Sequence, residues 1–219
     1  MLMYIALIIA CLVIGLGAQA YVNSQIKKYA QVPISNQMTG YQVATGMLYY
    51  YGIEGVEVRQ GRPGENFFNP KDNSITLDPQ SFNGASITAA ATACHEVGHA
   101  CQFAQGYAPM KVRSFLVPVV NFTSNTWIFI LLIGIVLNIA GLVDLAIIFY
   151  AFAVLFQLVT LPVEFDASKR ALQYMETTGL PGGERAASWS VLRACALTYV
   201  AAALVSILQL LYLLSTREE

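Results

Sequence analysis

The sequence predicts a mainly α-helical, polytopic membrane protein, with about four transmembrane helices and a small α/β part on the cytoplasmic side. Three observations predict it. Of 219 residues, 56% are hydrophobic and only 11% charged, whereas about a quarter of a soluble domain is charged. The apolar residues are gathered into stretches long enough to span a bilayer, which takes about 20 residues. The basic residues fall almost entirely in two of the intervening segments. The mean hydropathy of +0.55 excludes a disordered chain, which requires low hydrophobicity and high charge. A chain of this length cannot bury so much apolar surface in a core of its own. A net charge of −1 without a long basic run argues against nucleic acid as a partner; the lipid bilayer is the expected one.

The first crossing is read at residues 1–22, which contain no charged side chain. Ala18-Gln19-Ala20 resembles a signal-peptide cleavage site, but Lys27 and Lys28 follow the apolar run and no basic residue precedes it. That is the wrong flank for a signal peptide, so a retained anchor is expected. Residues 23–114 form the main soluble part. Residues 115–163 are long enough for two helices, with a break near Asn138, Gly141 and Asp144. An acid inside an apolar stretch invites a functional reading, but solvation at the turn is the expected account of Asp144. Residues 164–193 form a second polar segment, 194–214 a fourth crossing and 215–219 a tail. Lys27, Lys28, Lys111 and Arg113 flank the first two crossings, and Lys169, Arg170, Arg185 and Arg193 lie between the third and fourth. Positive-inside bias puts both segments in the cytoplasm and both termini outside.

Within 23–114, residues 38–51 suit one helix, with Met47, Leu48 and Tyr51 on a common face. Val56–Arg59 alternates as a strand does. Phe67-Phe68, a turn at Asn69–Asn73 and Ser74–Leu77 read as a hairpin that Asp78-Pro79 ends. Ser74–Leu77 is a place where an extended substrate backbone can pair, beside its ordinary role in the hairpin. An alanine-rich helix follows from about Ala85 to Gln105, capped by Asn83 or Ser86 and ended by Gly106. So few polar groups imply burial.

That helix carries His95-Glu96-Val97-Gly98-His99, which matches H-E-x-x-H, and these are the only two histidines in the chain. Positions i and i+4 share a helical face. Two imidazoles so placed can bind one Zn²⁺, and Glu96 projects beside them, able to hold the metal-bound water. Gly98 costs roughly 1 kcal/mol relative to alanine in a helix; close approach of a substrate strand, or of a facing helix, accounts for it. A catalytic zinc has three protein ligands and an open position. With His95 at 0°, Cys94 and Cys101 point about 100° and 120° away from it, opposite to His99 at about +40°. The four cysteines are read as packing residues. A carboxylate from elsewhere is the natural third ligand. Glu164, at the end of the third crossing, is returned to the same side by the even number of crossings. Asp166 competes; it points about 200° from Glu164 and can pair with Arg170 at i+4.

HEVGHACQ together with LPVEFDASKRA resembles the YugP-like family of bacterial membrane zinc metallopeptidases. The likeness spans nearly the whole chain, including the anchor, the FFNPKDNSITLDP hairpin and the closing apolar segments. It implies a zinc-dependent protease, with His95, His99 and Glu164 as metal ligands and Glu96 catalytic. The small α/β part is then zincin-like, of the gluzincin type. A more distant likeness is to HtpX-type proteases, whose glutamate ligand is followed four residues later by an aspartate. Ser168 holds that place here and is the candidate to support the histidines. The expected reaction is hydrolysis of peptide bonds in membrane or membrane-proximal proteins, with Glu96 moving the proton. Arg170, Tyr174 and Asn66 are unranked candidates to stabilise the oxyanion. The alternative is a non-proteolytic zinc-stabilised membrane scaffold, or a subunit of a membrane protease complex.

Overall fold

The computed structural model describes residues 2–217; Met1 and the Glu218-Glu219 end of the expected tail lie outside the described residues. Helices dominate: α1 (Leu2–Ala30), α2 (Gly40–Tyr50), α3 (Pro79–Asn83), α4 (Ile87–Ala104), α5 (Ala108–Val136), α6 (Ala140–Thr177) and α7 (Gly182–Ser215). Three short strands, β1 (Glu57–Gln60), β2 (Phe67–Asn69) and β3 (Ser74–Leu77), form one sheet. Among the described residues, α1, α5, α6 and α7 are long and apolar enough to cross a membrane. They outrun the expected crossings. α6 has 38 residues, about 57 Å of helix against a hydrocarbon core of about 30 Å.

The chain divides into two compact units. One comprises the chain up to Ala18, Ala108–Pro162 and the chain from Thr198. Its α5–α6 turn is set by Asn138 in the left-handed region, φ +52°, and a Cβ at Gly134 would stand 3.0 Å from the Val143 backbone. Asp144 is not simply solvated. It accepts from the Arg217 guanidinium, with Nη2 to Oδ2 at 2.9 Å, because the α7 end lies beside the α6 start in this unit.

The other unit comprises Gln19–Tyr107 and Val163–Leu197. β3 is its central strand, parallel to β1 and antiparallel to β2. Both hydrogen-bonding edges of β3 are therefore occupied, so Ser74–Leu77 has no ladder left for a substrate. The β2–β3 turn is pinned locally: Asn69 Oδ1 accepts from the Lys71 N–H, and Ser74 Oγ donates to Asp72 at 2.6 Å. Thr39 and Gln42 make a capping box for α2. Ser86, not Asn83, caps α4, and Gly106, φ +65°, ends it.

Asp78-Pro79 does more than end the hairpin; it starts α3. Proline's missing N–H costs nothing in a first helical turn, and Asp78 Oδ1 accepts from the Ser81 N–H at 2.7 Å. Burial pushes the Asp78 carboxyl up, but the Ser81 N–H and the Asn66 amide outweigh it and hold the group below the usual carboxylate range. Asp78→Ala removes this cap. The loss expected is about 1 kcal/mol of stability, read as an earlier thermal melt of the detergent-solubilised chain.

Candidate metal centre

α4 and the Val163-onward part of α6 meet face to face in the second unit. Gly98 makes this possible. A Cβ there would stand 2.6 Å from the Ala167 carbonyl oxygen and 2.9 Å from its Cα. Of the two accounts of Gly98, the facing helix is the one seen.

This close pairing brings His95, His99 and Glu164 together. One ligand atom from each can be chosen so that all lie within 4.8 Å of one another. His95 Nε2 is 3.1 Å and His99 Nε2 3.6 Å from the same oxygen, Glu164 Oε2. Atoms held tetrahedrally at about 2.1 Å from one ion stand about 3.4 Å apart, so the spacing suits a zinc-sized ion. Glu164 is 2% exposed and His99 8%.

The outer nitrogens of the rings decide what the inner ones offer. Gln102, fully buried, donates its Nε2 to the Val163 carbonyl at 2.7 Å and to Asp166 Oδ2 at 3.0 Å. With its amide nitrogen so committed, its Oε1 faces His99 Nδ1 at 3.0 Å. That ring nitrogen must donate. Neutral His99 then has its lone pair on Nε2, aimed at Glu164. Ser168 Oγ lies 3.2 Å from His95 Nδ1, and its acceptance of that N–H leaves His95 Nε2 in the same state. Two lone pairs and a carboxylate oxygen thus converge in a buried place, an arrangement that demands a cation or protons. Burial alone would lower the proton affinity of His99. The hydrogen bond to Glu164 and the charges of Glu96 and Glu164 outweigh it and raise it. The donor set is nitrogen and oxygen, as zinc accepts.

Glu96 sits between the two histidines on α4 and is 7% exposed. Asp166 is taken by Arg170, whose Nε donates to Oδ2 at 2.6 Å. Arg170 also donates to Gln105. Asn66 is bonded to Asp78 in both directions. The Tyr174 ring packs against Tyr50, and its hydroxyl fills the space beside Gly46. These three oxyanion candidates thus have other partners. Cys94 and Cys101 are fully buried; burial pushes both thiols up, Cys101 to about 11, and neither belongs to the cluster formed by His95, His99 and Glu164.

Sequence reasoning missed Gln102. The signal was present: a lone amide near the end of an otherwise apolar, buried helix must find partners, and it stands three residues beyond His99.

Two outcomes follow from this geometry. Gln102→Leu frees His99 Nδ1 and is expected to weaken zinc binding 10–100-fold, roughly the effect of losing such a support, as measured by chelator competition. Gly98→Ala gains helix propensity but forces two backbones apart. Overpacking costs about 1–3 kcal/mol, so the expected result is a lower melting temperature together with reduced zinc content.

Comparisons with known proteins show the family. Residues 4–218 match the profile of a family described as "Putative neutral zinc metallopeptidase". The "Putative membrane protease YugP" of Bacillus subtilis (strain 168) is 40% identical over 212 residues, covering 96% of this chain and 94% of the relative. No solved structure matches the chain. The chain therefore belongs to the neutral zinc metallopeptidase family that its sequence resembles.

Proposed function

We propose that the protein is a membrane-bound, zinc-dependent endopeptidase that cleaves membrane or membrane-proximal proteins. The observation that carries this is the convergence of one ligand atom each from His95, His99 and Glu164 within 4.8 Å, with Glu96 next to His95 in α4. His95, His99 and Glu164 hold the ion, a gluzincin-like ligand set on a zincin-like helix. Bound there, zinc supplies Lewis acidity, polarising a carbonyl and lowering the proton affinity of water. Glu96 accepts a proton from the water as it attacks the peptide carbonyl carbon. The C–N bond then breaks, and Glu96 returns the proton to the departing amine nitrogen. Ser168 and Gln102 keep both rings in the ligating tautomer. Arg170, Tyr174 or Asn66 serves the oxyanion only by leaving its present partners.

The same reading keeps crossings at 1–22, within 115–163 and at 194–214, with residues 23–114 and 164–193 cytoplasmic and both termini outside. The distribution of basic residues supports it. A zinc-stabilised scaffold is disfavoured because a structural tie needs no Glu96 and usually takes four protein ligands, whereas among the described residues three candidate ligands converge. A membrane complex is compatible with either activity.

Glu96→Gln keeps the shape of the side chain and removes its basicity. The zinc-loaded, detergent-purified variant is expected to retain stoichiometric zinc while losing cleavage of unfolded membrane and soluble proteins. Unchanged turnover would remove Glu96 from the reaction.

A further inference from the structure

A second feature of the same unit points to the substrate. Between Ile87 and Gln102, every residue of α4 is buried except Thr92 and His95. With His95 at 0°, Thr88, Thr92 and His99 fall at about +20°, +60° and +40°. Thr92 and His95, the two accessible residues of this stretch, thus lie on the same face as the buried Thr88 and His99. A cavity of about 1050 Å³ lies along the beginning of this face, with Ser86, Thr88, Ala89 and Thr92 in its wall. A second wall is α1, through Gln19, Asn23 and Lys27, spaced so as to share one helical face, with Gln31 just beyond its end. A third is formed by Asn66, Asp78, Gln80, Ser81 and Gly84.

The chemistry of these walls selects an occupant. Five amides and four hydroxyls are among the lining residues, offering donors and acceptors together, as a peptide backbone does. No aromatic ring lines the cavity, so it lacks the stacking platform that a nucleobase takes. Lys27 is the sole cation and is matched by Asp78, which leaves no site for a phosphate cluster. Ile26 is the only large aliphatic side chain in the lining, so a membrane-spanning helix would lose its apolar contacts there without compensation. The small Gly84, Ala85 and Ala89 allow a backbone to approach closely. From Thr88 to His95 is seven residues of helix, about 10 Å, the length of about three residues of extended chain.

We infer that this groove binds an extended, hydrophilic segment of polypeptide, about three residues on one side of the scissile bond, and that the substrates are such segments rather than membrane-spanning helices. The inference rests on the endopeptidase reading for its direction toward the metal centre, but binding is measured apart from hydrolysis.

The full-length chain carrying Glu96→Gln, zinc-loaded in detergent, receives a photo-crosslinker by Gln80→p-benzoylphenylalanine. Tyr49→p-benzoylphenylalanine is the control, since Tyr49 is 89% exposed and is not in the groove. The probe is a fluorescein-labelled, unstructured peptide rich in Ser, Asn and Ala. Saturable labelling at position 80 and none at 49, undiminished by a Leu-rich transmembrane peptide, supports the groove. Equal labelling at both positions, no labelling at 80, or displacement by the Leu-rich peptide overturns it. In the otherwise unaltered enzyme, Gln80→Trp is expected to raise KM about tenfold with kcat and zinc content unchanged; an unchanged KM also overturns it. Cleavage by the unaltered chain without labelling at 80 removes the groove and leaves the hydrolase. Labelling without any cleavage leaves the groove and removes the hydrolase.

Discussion

Three electron-rich atoms share one small buried volume, and the second unit is organised to keep them there. Nothing about two imidazole lone pairs and a carboxylate oxygen is mutually attractive. Each lone pair left facing the carboxylate without a proton or ion costs on the order of 1–3 kcal/mol. The cost is met by the frame. Gly98 lets α4 sit against the Ala167 backbone, and Gln102 then reaches the Val163 carbonyl and Asp166. One side chain therefore orients a ring, fixes its tautomer and ties two helices.

The position of Glu164 shows how a thin α/β layer obtains a firmly held carboxylate beside its two histidines. Three strands of four, three and four residues make too small a core to order a distant loop acid. Glu164 instead belongs to a 38-residue helix whose backbone hydrogen bonds hold it in register. Ser168 follows one turn later on the same face. The helix delivers ligand and support together, and their separation is set by pitch rather than by loop conformation.

Elements whose signal is local were legible in the sequence. The hairpin, the α4 cap at Ser86, the stop at Gly106 and the two histidines all depend on side chains within a few residues of one another. Helix ends were not. Apolarity stops where lipid stops, whereas a helix stops where its terminal carbonyls find partners. Lys111 and Arg113 thus fall inside α5, which starts at Ala108. The segment expected between the third and fourth crossings is instead mostly the end of α6 and the start of α7. The order of the sheet was illegible for a related reason. The hairpin pattern pairs β2 with β3, but the parallel placement of β1 on the other side of β3 is a long-range choice with no local mark. The pairing of Asp144 with Arg217, 73 residues apart, is equally silent.

The same frame bears on what a bound ion is for. A metal that holds a fold together is expected where the surrounding elements cannot otherwise associate, and such sites close all four positions with protein ligands. Here α4 and α6 meet through backbone contact and a buried amide, and three candidate ligands converge among the described residues. Glu96 is next to His95 in α4 and is 7% exposed. A structural tie would not require that acid. On the proposed reading, His95, His99 and Glu164 would hold the ion and Glu96 would accept a proton from water.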